Sequence, residues 1–128
     1  MKMKLLVHVN ESEKWPAAVG NIANFLTDVG DENAEVIVVA NGAGVRGYLR
    51  GGPPQAERQG DVCIVVTGDS AAATEGLEKR GVLFIACANA LRAQHIEAGS
   101  LPAFVRVVPA GVTEIVKRQA EGFAYVKP

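Results

Sequence analysis

Cysteine, histidine and aromatic residues are all scarce in this chain of 128 residues, which has two cysteines, two histidines, one tryptophan, two tyrosines and four phenylalanines. The two cysteines, Cys63 and Cys87, cannot build the dense disulfide scaffold of small secreted domains. Neither has a second cysteine or a histidine at the spacing of a zinc site, and nothing in their own spacing calls for a disulfide. The sequence therefore predicts no disulfide-rich fold and no structural metal centre.

An excess of charge is also missing, since the formal net charge is −1. Nucleic-acid-binding surfaces are strongly basic, so we expect no nucleic-acid partner. The apolar segment near the start, Leu5 to Val9, is interrupted by His8 and followed by Asn10, and it is too short for an export signal or a membrane span. These absences predict a cytoplasmic protein with reduced thiols and no membrane partner.

The chain does contain a regular alternation of β-prone and amphipathic segments. With 48% hydrophobic residues it can build one well-packed domain, which we expect to span residues 1–128. Strands that alternate with helices predict an α/β fold in three layers, with an open, mostly parallel sheet of about five strands and helices on both faces. The five strands are predicted at Lys4–Val9, Glu35–Ala40, Val82–Ala86, Phe104–Val108 and Phe123–Val126.

A glycine-rich segment follows the second predicted strand. Gly42–Gly47 has the pattern G-x-G-x-x-G, and Asp69 lies roughly twenty residues further on, as in the dinucleotide-binding fingerprint. The fingerprint also needs a crossover helix, which Gly51-Gly52-Pro53-Pro54 would break. We therefore expect no cofactor and interpret the segment as a glycine-rich turn followed by a mobile loop over residues 50–60, although nucleotide binding stays an alternative.

The segment Gly81–Arg92 predicts a buried strand that ends at a cysteine and leads into a helix. We expect Asn89 to cap that helix and Gly99 to end it. Cys87 would then lie at the carboxyl end of a strand and beside a helix N-terminus, where backbone N–H groups favour a thiolate. The alternative interpretation is a buried cysteine that acts as a small hydrophobic residue.

Several polar residues are predicted to share that edge of the sheet with Cys87. His8 lies near the end of the first strand and is a candidate base for the thiol. Asn10 and Asn41 end the first two strands and are candidate anion donors, while Gly42 would let the backbone approach a ligand closely. Loop asparagines also commonly form turns, and a neutral histidine is often only a satisfied polar group, so structural roles stay open.

The chain resembles the DsrE/DsrF-like family, in particular a small branch of it whose activity is not settled. The resemblance is carried by Gly81–Leu91, which reads G-V-x-F-x-A-C-x-N-A-L, and by Val108–Glu114 and Gln119–Pro128. It does not extend to residues 48–72, which we therefore interpret as an insertion that contains a mobile loop and an extra strand at Val62–Thr67.

The resemblance implies a five-stranded parallel sheet and homo-oligomers, commonly trimers or hexamers. It also implies a role for Cys87, which matches the cysteine that carries persulfide sulfur between proteins in the sulfur-relay members. Our leading hypothesis is a sulfur carrier that exchanges sulfur with a donor or acceptor protein. The alternative is a non-enzymatic module that binds a small molecule or anion at the strand ends, with a structural Cys87. Trp15 and Tyr125 are interpreted as packing or subunit-contact aromatics.

Overall fold

The computed structural model describes residues 2–49, 55–59, 62–66 and 70–128. In chain order, the strands of these residues are β1 (Met3–Val9), β2 (Ala34–Ala40), β3 (Gln55–Gln59), β4 (Val62–Val66), β5 (Leu83–Cys87), β6 (Val105–Val108) and β7 (Ala124–Val126). The α-helices are α1 (Trp15–Val29), α2 (Ser70–Lys79), α3 (Ala88–Ala93) and α4 (Gly111–Ala120). Short 3₁₀ helices connect several of these elements, and the longest is Gly42–Tyr48.

The main sheet has five parallel strands in the order β6-β5-β2-β1-β7. The chain builds the sheet outward from β1 through β2 and β5 to β6, and α4 then returns it to place β7 on the other side of β1. Because all five strands are parallel, their carboxyl ends meet at one edge. The predicted α/β fold with about five strands is therefore confirmed.

Two apolar clusters cover the two faces of the sheet. The larger joins alternate strand residues such as Val7, Val38 and Phe84 to Trp15 and Ile22 of α1. The smaller lies under α4 and contains Leu6, Ile37, Val39, Ile85, Ile115 and Phe123. Strand side chains point to opposite faces in turn, so continuous apolar runs such as Val36–Ala40 serve both clusters. The helices on both faces confirm the predicted three layers.

The extra strand predicted at Val62–Thr67 is observed as β4, outside the main sheet. It pairs with β3 in an antiparallel hairpin. The interpretation of residues 50–60 as a loop is wrong over β3, because each residue of β3 pairs with a residue of β4. Residues 50–54, 60–61 and 67–69 lie outside the described residues. Tyr48, where the expected insertion begins, is fully buried and donates a hydrogen bond to the carbonyl oxygen of Ile85 at 2.9 Å.

The glycine-rich segment is a packing element. Within the 3₁₀ helix Gly42–Tyr48, a β-carbon on Gly44 would lie 2.1 Å from the carbonyl oxygen of Val9, and one on Gly47 would lie 2.0 Å from Nε1 of Trp15. That indole nitrogen donates a hydrogen bond to the carbonyl oxygen of Gly44 at 2.7 Å. Gly44 and Gly47 are both buried, so they have no free surface with which to approach a phosphate.

Candidate functional site

The carboxyl edge of the sheet carries four polar side chains on the face that α4 covers. Each stands two residues after a member of the small apolar cluster under α4, and since strand residues alternate between faces, all four are directed to the same face. The pairs of cluster residue and polar residue are Phe123 and Tyr125, Leu6 and His8, Val39 and Asn41, and Ile85 and Cys87. They lie on, or directly beside the ends of, four neighbouring strands, β7, β1, β2 and β5. We call these four residues the polar row.

Three members of the polar row form a hydrogen-bonded chain. Nε2 of His8 lies 2.8 Å from Oδ1 of Asn41, and Nδ1 of His8 lies 2.6 Å from the hydroxyl of Tyr125. An amide oxygen only accepts hydrogen bonds, so Nε2 carries the proton. When the ring carries only this proton, Nδ1 is an acceptor and the hydroxyl of Tyr125 donates to it. These two hydrogen bonds together set both the tautomer of His8 and the orientation of the Asn41 amide.

Cys87 ends the row at the junction of β5 and α3. Its extended backbone makes it the N-cap residue of α3, and its thiol is free. A β-carbon on Gly111, the first residue of α4, would lie 3.2 Å from the β-carbon of Cys87 and 3.3 Å from that of Asn41. Cys87 is buried, with 6% of the whole residue exposed, and it also belongs to the larger apolar cluster. The two helices α3 and α4 thus both begin beside this cysteine.

The predictions for the helix after Cys87 are wrong in detail. Asn89 lies inside the first turn of α3 and accepts a hydrogen bond from Arg92, because Cys87 itself occupies the N-cap position. The helix ends at Ala93 rather than near Gly99. His95 has a left-handed backbone (φ 56°), and the N–H of Ile96 donates to the carbonyl of Leu91, which is the Schellman termination pattern.

The structure does not bring every candidate residue to Cys87. Both ring nitrogens of His8 are engaged by Tyr125 and Asn41, and two strand spacings, about 10 Å, separate β1 from β5. Asn10 follows the end of β1, and its backbone packs against Gly42 and Gly44. Gly42 is exposed and adopts a left-handed backbone (φ 51°) that starts the 3₁₀ helix. Of the candidate residues, Asn41 is therefore the polar neighbour of Cys87.

Two site residues were missed by reasoning from the sequence alone. Gly111 is not among the candidate residues of the sequence analysis, although its lack of a side chain lets α4 begin directly on Cys87 and Asn41. Tyr125 was interpreted as a packing or subunit-contact residue. The available signal was its spacing, since it stands two residues after Phe123 just as His8 stands two after Leu6. Using that signal required knowing that β7 pairs with β1.

Other kinds of site find little support in the part of the chain that the structure describes. There, no group of three or more histidine, cysteine, aspartate or glutamate side chains is arranged to hold a metal ion. Within the same residues, every helix is too short or too polar to cross a membrane.

Fold and polar row together define an open α/β protein that presents one cysteine at the carboxyl edge of a parallel sheet. The model of the DsrE/DsrF-like family matches residues 3–128, and the chain belongs to this family. It is similar to the solved structure of MTH1491, a protein of unknown function from Methanobacterium thermoautotrophicum, with a TM-score of 0.80 and 29% identity over 99% of this chain and 100% of that one. No curated protein is significantly similar to the chain.

Proposed function

We propose that this protein is a sulfur carrier that holds sulfane sulfur on Cys87 as a persulfide and passes it to an acceptor thiol. The observation that carries the proposal is the position of Cys87, which ends a central strand and meets the first residues of α3 and α4. Backbone N–H groups at the start of a helix stabilise a nearby anion, and Gly111 places no side chain between the start of α4 and Cys87. Membership of a family with sulfur-relay members supports the same chemistry.

The transfer needs no cofactor. The thiolate of Cys87 attacks the outer sulfur of a donor persulfide, R–S–SH, and a new S–S bond forms while the S–S bond of the donor breaks. The products are the persulfide of Cys87 and the donor thiolate, R–S⁻, so atoms and charge balance without an external oxidant. The reverse reaction with an acceptor thiolate delivers the sulfur and restores the thiolate of Cys87.

Cys87 is buried, and two of its neighbours, Ala88 and Gly111, are small. Cys87 is 6% exposed, its neighbour Ala88 is half-buried and Asn89 is exposed. Gly111 adds no side chain above it. Because so little of Cys87 is exposed, we infer that its sulfur partner is a small persulfide or a flexible cysteine-bearing tail rather than a folded surface.

The direct test is to incubate the purified protein with cysteine persulfide and to map the extra sulfur by mass spectrometry of its peptides. We expect the label on Cys87 of the wild type, no label there in Cys87→Ser, and normal labelling of Cys87 in the control variant Cys63→Ser. A Cys87→Ser protein that takes up as much sulfur as the wild type would defeat the assignment.

Anion binding without sulfur chemistry is the second candidate. It is favoured by the start of α4, where the N-cap residue Ala110 offers no side-chain hydrogen bond to the first N–H groups. These groups lie beside Asn41 and Cys87. Titration with sulfate or phosphate in Cys87→Ser separates the candidates, because retained anion binding together with absent persulfide labelling in the wild type would favour the binding module.

We also propose that the chain assembles into a homo-oligomer. Large apolar side chains remain exposed on α4, at Val112 (63%) and Val116 (62%), and on the edge strand β7, at Tyr125 (40%) and Val126 (37%). Such residues gain about 25 cal/mol for each Å² of apolar surface that a partner covers. Sedimentation equilibrium of the wild type and of Val112→Glu/Val116→Glu tests this, and a monomeric wild type would contradict it.

A further inference from the structure

We propose that Asn41 donates a hydrogen bond to the anionic sulfur on Cys87, and that Tyr125 and His8 are positioning residues that aim its amide. This inference rests on the proposed sulfur chemistry of Cys87 and extends it to three further members of the polar row. It starts from the observed chain of hydrogen bonds, in which Tyr125 donates to His8 and His8 donates to Asn41.

The amide of Asn41 has two ends with opposite roles. Its Oδ1 accepts from Nε2 of His8 at 2.8 Å, so Nδ2, which carries both donor hydrogens, lies on the other branch of the planar group. Asn41 directly follows Ala40, which pairs with Ala86, the residue before Cys87. The β-carbons of Asn41 and Cys87 lie 3.3 and 3.2 Å from the position that a β-carbon on Gly111 would occupy. The two side chains therefore start from neighbouring positions beside Gly111, and the donor end of the Asn41 amide is the one left for an anionic sulfur on Cys87.

The role of Tyr125 follows from the tautomer of His8. When its hydroxyl donates to Nδ1, the proton of the neutral ring is kept on Nε2, which can only donate to Asn41. Without that hydroxyl, the proton can move to Nδ1 and Nε2 becomes an acceptor. The Asn41 amide would then turn its Nδ2 toward His8 and its oxygen toward Cys87, where a carbonyl oxygen disfavours a thiolate.

The same argument applies to a persulfide on Cys87. Its outer sulfur lies about 2 Å beyond the thiol sulfur and carries the charge when it ionises. An amide donor held in place by two further hydrogen bonds needs little reorganisation to meet that charge, which is how preorganised donors stabilise developing anions.

The test is the pH profile of Cys87 alkylation by iodoacetamide, followed on the Cys87 peptide by mass spectrometry. A hydrogen bond to a charged group changes the thiolate population roughly tenfold. We expect Asn41→Ala to slow alkylation at pH 7 about tenfold, with a profile displaced to higher pH and an unchanged rate on the alkaline plateau. Tyr125→Phe should act in the same direction. The double variant should be no slower than Asn41→Ala alone, because Tyr125 acts through Asn41.

Two further variants separate positioning from general damage to the fold. Tyr48→Phe also removes one tyrosine hydroxyl, but one that is bonded to the carbonyl of Ile85 outside the polar row, and it should leave the profile unchanged. In His8→Gln, the side-chain amide of glutamine still donates to Asn41, and an amide has no tautomer for Tyr125 to set. In this background Tyr125→Phe should therefore leave the pH profile of alkylation unchanged.

Wild-type profiles in Asn41→Ala and Tyr125→Phe, or additive effects in the double variant, would overturn the inference. Such a result would leave the carrier function standing if the wild type still takes up sulfur on Cys87. Conversely, the expected profiles in a protein that never takes up sulfur would support the positioning role and refute the carrier function.

Discussion

The substitution Gly44→Ala tests the close contact between the 3₁₀ helix Gly42–Tyr48 and the end of β1. A β-carbon at position 44 would lie 2.1 Å from the carbonyl oxygen of Val9 and 2.7 Å from its carbonyl carbon. These distances are far below the separation of about 3.5 Å at which nonbonded atoms attract each other. The atom that it meets is backbone and belongs to a strand paired on both sides, so it cannot rotate away.

The expected cost has two contributions. Overpacking of a buried position costs roughly 1–3 kcal/mol. The displacement also weakens the hydrogen bond from Nε1 of Trp15 to the carbonyl oxygen of Gly44, worth about 1 kcal/mol. We therefore expect Gly44→Ala to lower the free energy of unfolding by about 3 kcal/mol, which corresponds to a fall in Tm of roughly 10 °C for a domain of this length.

The assay is urea and thermal unfolding followed by circular dichroism, at equal protein concentrations. Gly20→Ala is the matched control, because Gly20 lies in α1 and a β-carbon there has no neighbour within 4 Å. It should raise the free energy of unfolding by about 0.5–1 kcal/mol, since alanine restricts the unfolded chain and favours helix. If Gly44→Ala unfolds within about 0.5 kcal/mol of the wild type, the close contact that explains the glycine pattern is refuted.

Three further predictions concern the rest of the fold. Burial raises the pKa of Tyr48 well above its ordinary value, so the contribution of this side chain to the free energy of unfolding is fully present at neutral pH and declines as the pH rises above about 10. Tyr48→Phe should lower the free energy of unfolding by about 1 kcal/mol at pH 7, and urea titrations should show a smaller further loss at high pH than in the wild type. The hydrogen bonds from Arg80 lower the pKa of Asp31, so their stabilisation is present above about pH 4 and is lost as the pH falls further. Arg80→Ala should therefore flatten the acid side of the stability profile, and an unchanged profile would contradict this. NAD titration monitored by calorimetry should give no binding heat, because Gly44 and Gly47 are buried; saturable binding would revive the dinucleotide interpretation.

Local sequence patterns were sufficient to predict the five strands and the position of Cys87. Apolar runs such as Val36–Ala40 mark strands that are buried on both faces, and the residue after such a run lies at the sheet edge. The end of α3 was not predictable in this way. His95 is not glycine, and its left-handed conformation is stabilised by contacts of Ile96 and Leu91 that the spacing alone does not indicate.

The partners of His8 depend on pairings between segments far apart in the chain. Tyr125 is 117 residues away from His8, and only the return of the chain through α4 places β7 beside β1. The glycine pattern that contains Gly44 and Gly47 is ambiguous in the sequence for a related reason. Glycine permits close approach of the backbone to any group, and here that group is Trp15 and the end of β1 rather than a phosphate.

The most direct test of the sulfur-carrier function is the mass of Cys87-containing peptides from protein purified without reductant and treated at lysis with an alkylating agent that traps persulfides. We expect a fraction of Cys87 to carry one additional sulfur atom, which dithiothreitol removes and which Cys87→Ser lacks. If Cys87 is recovered only as the plain alkylated thiol, both from cells and after exposure to excess cysteine persulfide, the function proposed for this protein is contradicted.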